Sequence, residues 1–377
     1  MPWREVLLMS LRLEFVQLAS QSKSNFSELC RRYGVSLKTG YKWLNRYRLE
    51  GPSGLENRSR RPRHSPRRTP TEMEDRILKL REVNPAWGAW KIQVRLTDLG
   101  VKRVPASSTV HQILRRGGRI NPSASAQHRR WQRFEQEAPN QLWQMDFKGH
   151  FGLGNGQRCN PLSVLDDHSR FVLCLQACRN QTGPTVQARL TETFQRYGLP
   201  ERMLMDNGAP WGNDADHPYT PLTVWLLRLG VGVCHGRPYH PQTQGKAERF
   251  HRTLQVELLQ GRSYWDHPQV QTRFDGWRPI YNHERPHQAL GMEVPASRYQ
   301  ISARSFPQLL PPIEYGSGDI VRKVQEHGKI SFQNQVFRIG KAFRGYPVAL
   351  RPTLTDGIWE VYFCAHQIAR IDLTEIG

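Results

Sequence analysis

At 377 residues the chain is longer than one ordinary core needs, and its 38% apolar and 10% aromatic content supports packed domains rather than disorder. The formal net charge is +21, and residues 1–135 hold 28 Lys+Arg against 11 Asp+Glu, a local net of +17 that points to a polyanionic partner such as nucleic acid. Six scattered cysteines without a CxxC pair argue against a disulfide framework or a zinc site, no apolar run reaches the ~18–20 residues of a membrane span, and no signal-peptide pattern is present, so a cytoplasmic, nucleoid-associated protein is expected.

Val6, Leu7, Leu11, Phe15 and Leu18 recur at helical spacing and predict a helix over 4–20. A short helix over 25–33, a turn at Gly34-Val35-Ser36 and a helix over 37–48 follow, with Ser36 as N-cap. Residues 1–50 therefore read as a helix-turn-helix. Its last helix offers Lys38, Thr39, Lys42 and Arg46 to a major groove, while Trp43 and Leu44 pack inward. The alternative is a generic three-helix bundle.

Residues 51–70 contain four prolines, two glycines and no acid after Asn57. Arg58, Arg60, Arg61 and Arg63 in this linker suit phosphate or minor-groove contact, the alternative being a solvated linker. Residues 71–120 predict a second helix-turn-helix-like domain with helices over 72–83, 89–99 and 107–116. Thr69 or Thr71 would cap the first and Ser107 the third, around a core of Trp87, Trp90, Ile92, Leu96, Val110 and Leu114. Residues 121–138 read as a linker.

From 139 to 300 the pattern becomes α/β. Strands are expected at 142–150, 161–165, 170–177, 202–205 and 231–235, with helices at 185–197, 221–229 and 244–259. Residues 301–377 predict six short strands, at 320–324, 329–332, 335–339, 347–350, 358–363 and 367–371, as a small β-barrel. The expected fold is thus multidomain: all-α modules, a central α/β core and a C-terminal β-barrel.

Three acids fall at the ends of the core's elements. Asp146 sits mid-strand in Trp143-Gln144-Met145-Asp146-Phe147, an environment where aspartate has poor propensity and needs a reason. Asp206 ends a strand before Asn207-Gly208, and Glu248 lies early in the long helix. Carboxylates from separate elements can hold hard divalent cations for attack at phosphorus. Lys246, Arg249 and Arg252 could hold the phosphate backbone. Asp166 and Asp167 read as turn chemistry, Asp214 and Asp216 as solvated loop acids, and His150, His168 and His240 as surface or packing residues.

The ordered set of Asp146, Asp167-His168-Ser169-Arg170, Asp206-Asn207-Gly208, Pro241-Gln242-Thr243-Gln244-Gly245-Lys246-Ala247-Glu248-Arg249 and Tyr281-Asn282-His283-Glu284-Arg285-Pro286-His287 resembles a bacterial insertion-sequence DDE transposase of the retroviral integrase superfamily. The resemblance implies a ribonuclease H-like core whose catalytic, metal-binding triad is Asp146, Asp206 and Glu248, holding two Mg²⁺ (or Mn²⁺) ions. It also implies recognition of terminal inverted repeats, cleavage of DNA ends and joining of 3′ ends to target DNA. The partners implied are double-stranded DNA and further copies of the chain, at least a dimer, with no membrane. The segment 281–287 is expected to cap the core.

Two departures stand out. The 41 residues between Asp206 and Glu248 exceed the family's usual spacing, the excess being assigned to the polar loop 211–219. Gln255 stands where many members carry Lys or Arg, and Arg252 is the candidate replacement. Competing readings are a DNA-binding regulator with an inert core and a nuclease that only hydrolyses. The intact carboxylates oppose the first, and the two upstream modules oppose the second.

Overall fold

The fold, from a computed structural model, is described for residues 8–22, 24–58, 68–120, 135–212, 218–236 and 245–374. Arg60, Arg61, Arg63, Asp214, Asp216, His240 and the stretch 241–244 lie outside these residues. The chain divides into two compact units, Met1–Arg68 and Thr69–Gly377. No helix among the described residues is long and apolar enough to cross a membrane.

The first unit holds α1 (Leu8–Ala19), α2 (Phe26–Arg32) and α3 (Leu37–Glu50), followed by a 3₁₀ turn at Gly51–Leu55. Ser36 caps α3 as expected, its hydroxyl accepting from the Thr39 N–H at 3.3 Å. Phe15, Val16, Cys30 and Leu55 form the core. Gly40 is where α3 meets α2 most closely: a Cβ there would stand 2.6 Å from Cys30 Sγ. Leu44 is buried, and Trp43, partly buried, packs against this core as expected. Arg12, Lys42 and Arg46 surround its ring, their cationic centres 4.0, 4.9 and 5.2 Å from the centroid.

The second unit opens with α4 (Thr71–Val83), α5 (Ala89–Asp98) and α6 (Ser107–Arg116). The expected threonine and serine caps are absent. Pro70 and Ala106 occupy the cap positions without side-chain bonds, and Thr71 and Ser107 are already helical. Trp90 is 52% exposed rather than in the core, which Ile77, Trp87, Ile92, Leu96, Val110, Ile113 and Leu114 fill.

The core sheet begins with β1 (Leu142–Phe147), β2 (Phe151–Gly152), β3 (Arg158–Asp166) and β4 (Val172–Cys178). It continues through α7 (Gly183–Tyr197), β5 (Arg202–Met205), α8 (Pro221–Arg228), β6 (Gly232–His235), α9 (Gly245–Leu254), a π-helical turn (Gln255–Leu259) and α10 (His267–His283). β3 lies antiparallel between β1 and β4, while β1, β5 and β6 run parallel. This is the topology expected of a ribonuclease H-like core. Alternation along β3 builds two apolar layers: Leu162 and Val164 face α7 and α8, and Leu165 faces α9 and α10.

The seventeen-residue helix α10 was not foreseen, because Gly276 and Pro279 interrupt its pattern. It lies along β4, which pairs only with β3 among the described residues. Its side chains take up that edge's backbone groups. Asn282 accepts from the Val172 N–H at 2.9 Å and donates to the Val172 carbonyl at 3.1 Å. Gln271 does the same for the Ala177 N–H and the Leu175 carbonyl, and Arg278 donates to the Leu173 carbonyl. The 281–287 segment thus begins by sealing a sheet edge.

β7 (Ile320–Lys323), β10 (Pro347–Pro352), β11 (Ile358–Phe363) and β12 (His366–Asp372) form an antiparallel sheet in the order β12-β11-β10-β7. β8 (Lys329–Phe332) and β9 (Gln335–Arg338) make a separate hairpin. The strands fall where expected, but no closed barrel forms among the described residues. The apolar residues instead close against α8 through Val224 and Leu227, so a neighbouring helix covers the open sheet.

Candidate active site

The register of the parallel strands sets Gln144 opposite Leu204, so two residues further on Asp146 and Asp206 emerge at the same end of neighbouring strands. Glu248 occupies the first turn of α9, and one turn later His251 Nδ1 lies 3.7 Å from Asp146 Oδ2. The Asp146 carboxyl is pushed up to about 7, first by burial, then by the Asp206 carboxylate and by Glu248, against a hydrogen bond from the Phe147 N–H. Asp206 is also raised by burial, opposed by the Gly208 N–H, which donates to its Oδ1 at 3.1 Å, and by His235. Burial, with Lys148, pushes the His251 imidazole down to about 4.

Asp146 is thus raised by two neighbouring carboxylates, and the oxygens of the three acids form a hard donor set. Both facts fit Mg²⁺ or Mn²⁺. Among the described residues no three Asp, Glu, His or Cys side chains are already gathered tightly enough to grip one ion.

The cationic candidates separate in the fold. Lys246 Nζ lies 2.5 Å from Asp167 Oδ2, and Asp167 is 1% exposed. Gln144 Nε2 and the Gln136 N–H also donate to Asp167, at 2.7 and 2.9 Å. Asp167 is therefore a buried anchor as well as a turn residue. Asp166 does behave as turn chemistry, accepting from the Ser169 and Asn140 N–H groups at 2.7 Å. Arg249 and Arg252 are exposed on α9, and Lys38 and Lys42 on α3. Thr39 meets the Ser36 hydroxyl at 3.0 Å, and Arg58 pairs with Glu50.

Sequence reasoning missed a buried group behind α9. Glu257, in the π turn, accepts from Trp277 Nε1 at 2.8 Å and from Arg285 Nε at 3.3 Å. Gln260 N–H donates to the Gln255 carbonyl five residues back, at 2.7 Å, which widens this turn. The α4–α6 module docks here: Ile280 packs on its core, Arg95 pairs with Glu284, and Lys91 faces Glu257 and Arg285. Lys91 and Arg95 share one face of α5 through their spacing of four, which is the signal a sequence reading could have used.

The α/β core thus carries two carboxylates at the ends of neighbouring parallel strands. Residues 136–241 and 229–295 each match the integrase core domain, and residues 319–377 match the IS481 family transposase, C-terminal domain. Residues 11–63 match a helix-turn-helix domain, and residues 39–114 a homeodomain-like domain. In its core and C-terminal domains the chain is thus similar to bacterial insertion-sequence transposases of the integrase superfamily.

Among similar proteins, the insertion element IS407 uncharacterized 31.7 kDa protein of Burkholderia multivorans is 26% identical over 42% of this chain and 55% of its own length. The insertion element IS476 uncharacterized 39.2 kDa protein of Xanthomonas euvesicatoria is 27% identical over 42% of this chain and 44% of its own. The chain thus spans about half the length of these relatives. A simian T-cell lymphotropic virus intasome chain, solved with PP2A regulatory subunit B56 gamma, aligns with 76% of this chain and 95% of its own at 17% identity and a TM-score of 0.37. The HTLV-2 integrase catalytic core domain in complex with magnesium aligns with 44% of this chain and 99% of its own at 11% identity and a TM-score of 0.32.

Proposed function

We propose that the protein recognises the terminal inverted repeats of its own element, cleaves the DNA ends and joins the 3′ ends to target DNA, with Asp146, Asp206 and Glu248 as its catalytic, metal-binding residues. The observation that carries this reading is the meeting of Asp146 and Asp206 at neighbouring strand ends, with Asp146 raised by both other carboxylates. Two Mg²⁺ or Mn²⁺ ions, when bound, would supply activation of the attacking oxygen and stabilisation of the leaving one. The three carboxylates would hold them, and Arg249 and Arg252 would hold the DNA backbone alongside. One such site serves hydrolysis and strand transfer alike, since both are phosphoryl transfers.

The working parts are proposed as 1–50 and 71–120 for end recognition, 51–70 and 121–138 as linkers, 139–300 for chemistry and 301–377 for binding DNA or another subunit. Two DNA ends must be joined together, so at least a dimer acts, on the nucleoid. The test is a plasmid joining assay in Mg²⁺ with Asp146→Asn, Asp206→Asn and Glu248→Gln. Each variant should lose joining while keeping end binding in gel shift, because an amide keeps the size but not the anionic ligand. Near-normal joining by any one of them removes that residue from the site.

A further inference from the structure

Two side chains behind Asp146 have no part in the chemistry above. Ser163 stands opposite Asp146 in the β1–β3 register and is wholly buried. Its hydroxyl lies 3.2 Å from the Asp146 backbone carbonyl and 2.8 Å from His251 Nε2. The hydroxyl thus reaches both a backbone carbonyl and the imidazole, and holds the ring in place. The other ring nitrogen, Nδ1, faces Asp146 Oδ2, 3.7 Å away.

We propose that His251 is a positioning residue for Asp146: fixed by Ser163, it backs the carboxylate and keeps its oxygens directed at a bound divalent cation. A ring held there limits the rotation of the carboxylate and so its misalignment with the cation. His251 is three residues after Glu248, so one helix face carries both a carboxylate and the group that orients another.

This inference rests on the carboxylate site proposed above, and one experiment separates the two. Mn²⁺ binding to the full-length protein is measured from the resonance signal of free Mn²⁺, alongside the rise in unfolding midpoint that Mn²⁺ produces. His251→Ala is expected to weaken Mn²⁺ binding roughly 10- to 100-fold, the usual range for a lost supporting partner, and to shrink the Mn²⁺-induced rise. Ser163→Ala should act in the same direction, and the double variant should be no worse than His251→Ala. A purely structural role would lower the metal-free midpoint and leave the Mn²⁺ response intact. If Asp146→Asn loses the response while His251→Ala keeps it, the inference is overturned and the site stands. If Asp146→Asn responds like the wild type, the site reading fails and the inference with it. Should His251→Ala not fold, Ser163→Ala decides alone: unchanged Mn²⁺ binding overturns the inference.

Discussion

Lys246 and Asp167 form an ion pair at 2.5 Å that ties the first turn of α9 to the turn after β3. Two residues before Glu248, a cation expected at the DNA is held instead by the protein's own interior. Lys246→Met leaves a buried carboxylate with only its neutral donors, Gln144 and the Gln136 N–H. Removing one partner of a buried pair costs about 3 kcal/mol, slightly reduced here because Lys246 keeps some exposure. Denaturant unfolding should read that loss, and the salt dependence of DNA binding should keep its wild-type slope. A slope lower by one unit would show that Lys246 touches phosphate.

The group behind α9 should be strongly coupled. Glu257→Leu strands the Arg285 guanidinium without its counter-charge and should cost about 3–5 kcal/mol. Adding Arg285→Met removes the stranded charge and should restore most of the stability. A double variant whose losses simply add would mean that the two side chains do not act as a pair.

Lys91 makes stability depend on pH. Burial first, then Arg285 and Arg249, hold its ammonium down to about 7, with Glu257 opposing. The unfolded chain keeps the ordinary lysine value near ~10.4, so between these values the unfolded state binds more protons. This residue's contribution therefore rises with pH across that window, and below about pH 7 both states are charged and the destabilisation is complete. Lys91→Met should be more stable than the wild type at pH 7 and should flatten the rise toward pH 9. Parallel unfolding curves for the two proteins over that range would refute the assignment.

The α3 cations and the arginine linker should fail differently. Lys42→Ala or Arg46→Ala should narrow the gap between the true end and random DNA, by about 1–3 kcal/mol if either reads a base edge. Replacing Arg58, Arg60, Arg61 and Arg63 should weaken binding to every sequence and lower the salt slope by roughly one unit per lost phosphate contact. Arg58 pairs with Glu50, so its phosphate contact competes with that ion pair. Binding to both DNAs across a salt series separates these effects. A linker variant that loses specificity but keeps its slope would reverse the roles.

Periodicity made most elements legible, because amphipathic helices and alternating strands write their pattern locally: α7, β5, β8 and β11 begin or end within two residues of expectation. The π turn was hidden inside what reads as one helix from 244 to 259, since a single widened turn barely disturbs the apolar spacing. His251 and Glu257 carry no distinguishing local pattern on that helix. Their roles depend on Ser163 and Arg285, 88 and 28 residues away, and no local pattern records such pairings. The expected barrel failed for a similar reason: strand spacing does not say whether a sheet closes on itself or borrows α8 as its cover.

The sealing of β4 limits how copies of this chain can meet. An open sheet edge is the easiest place for two identical subunits to join, each adding a strand to the other's sheet. Asn282, Gln271 and Arg278 already satisfy the backbone groups such a partner would need, and they sit on a helix that blocks its approach. Any second copy of this chain must therefore engage other surfaces. Because β4 is closed by the chain's own helix, copies are protected from pairing strands there.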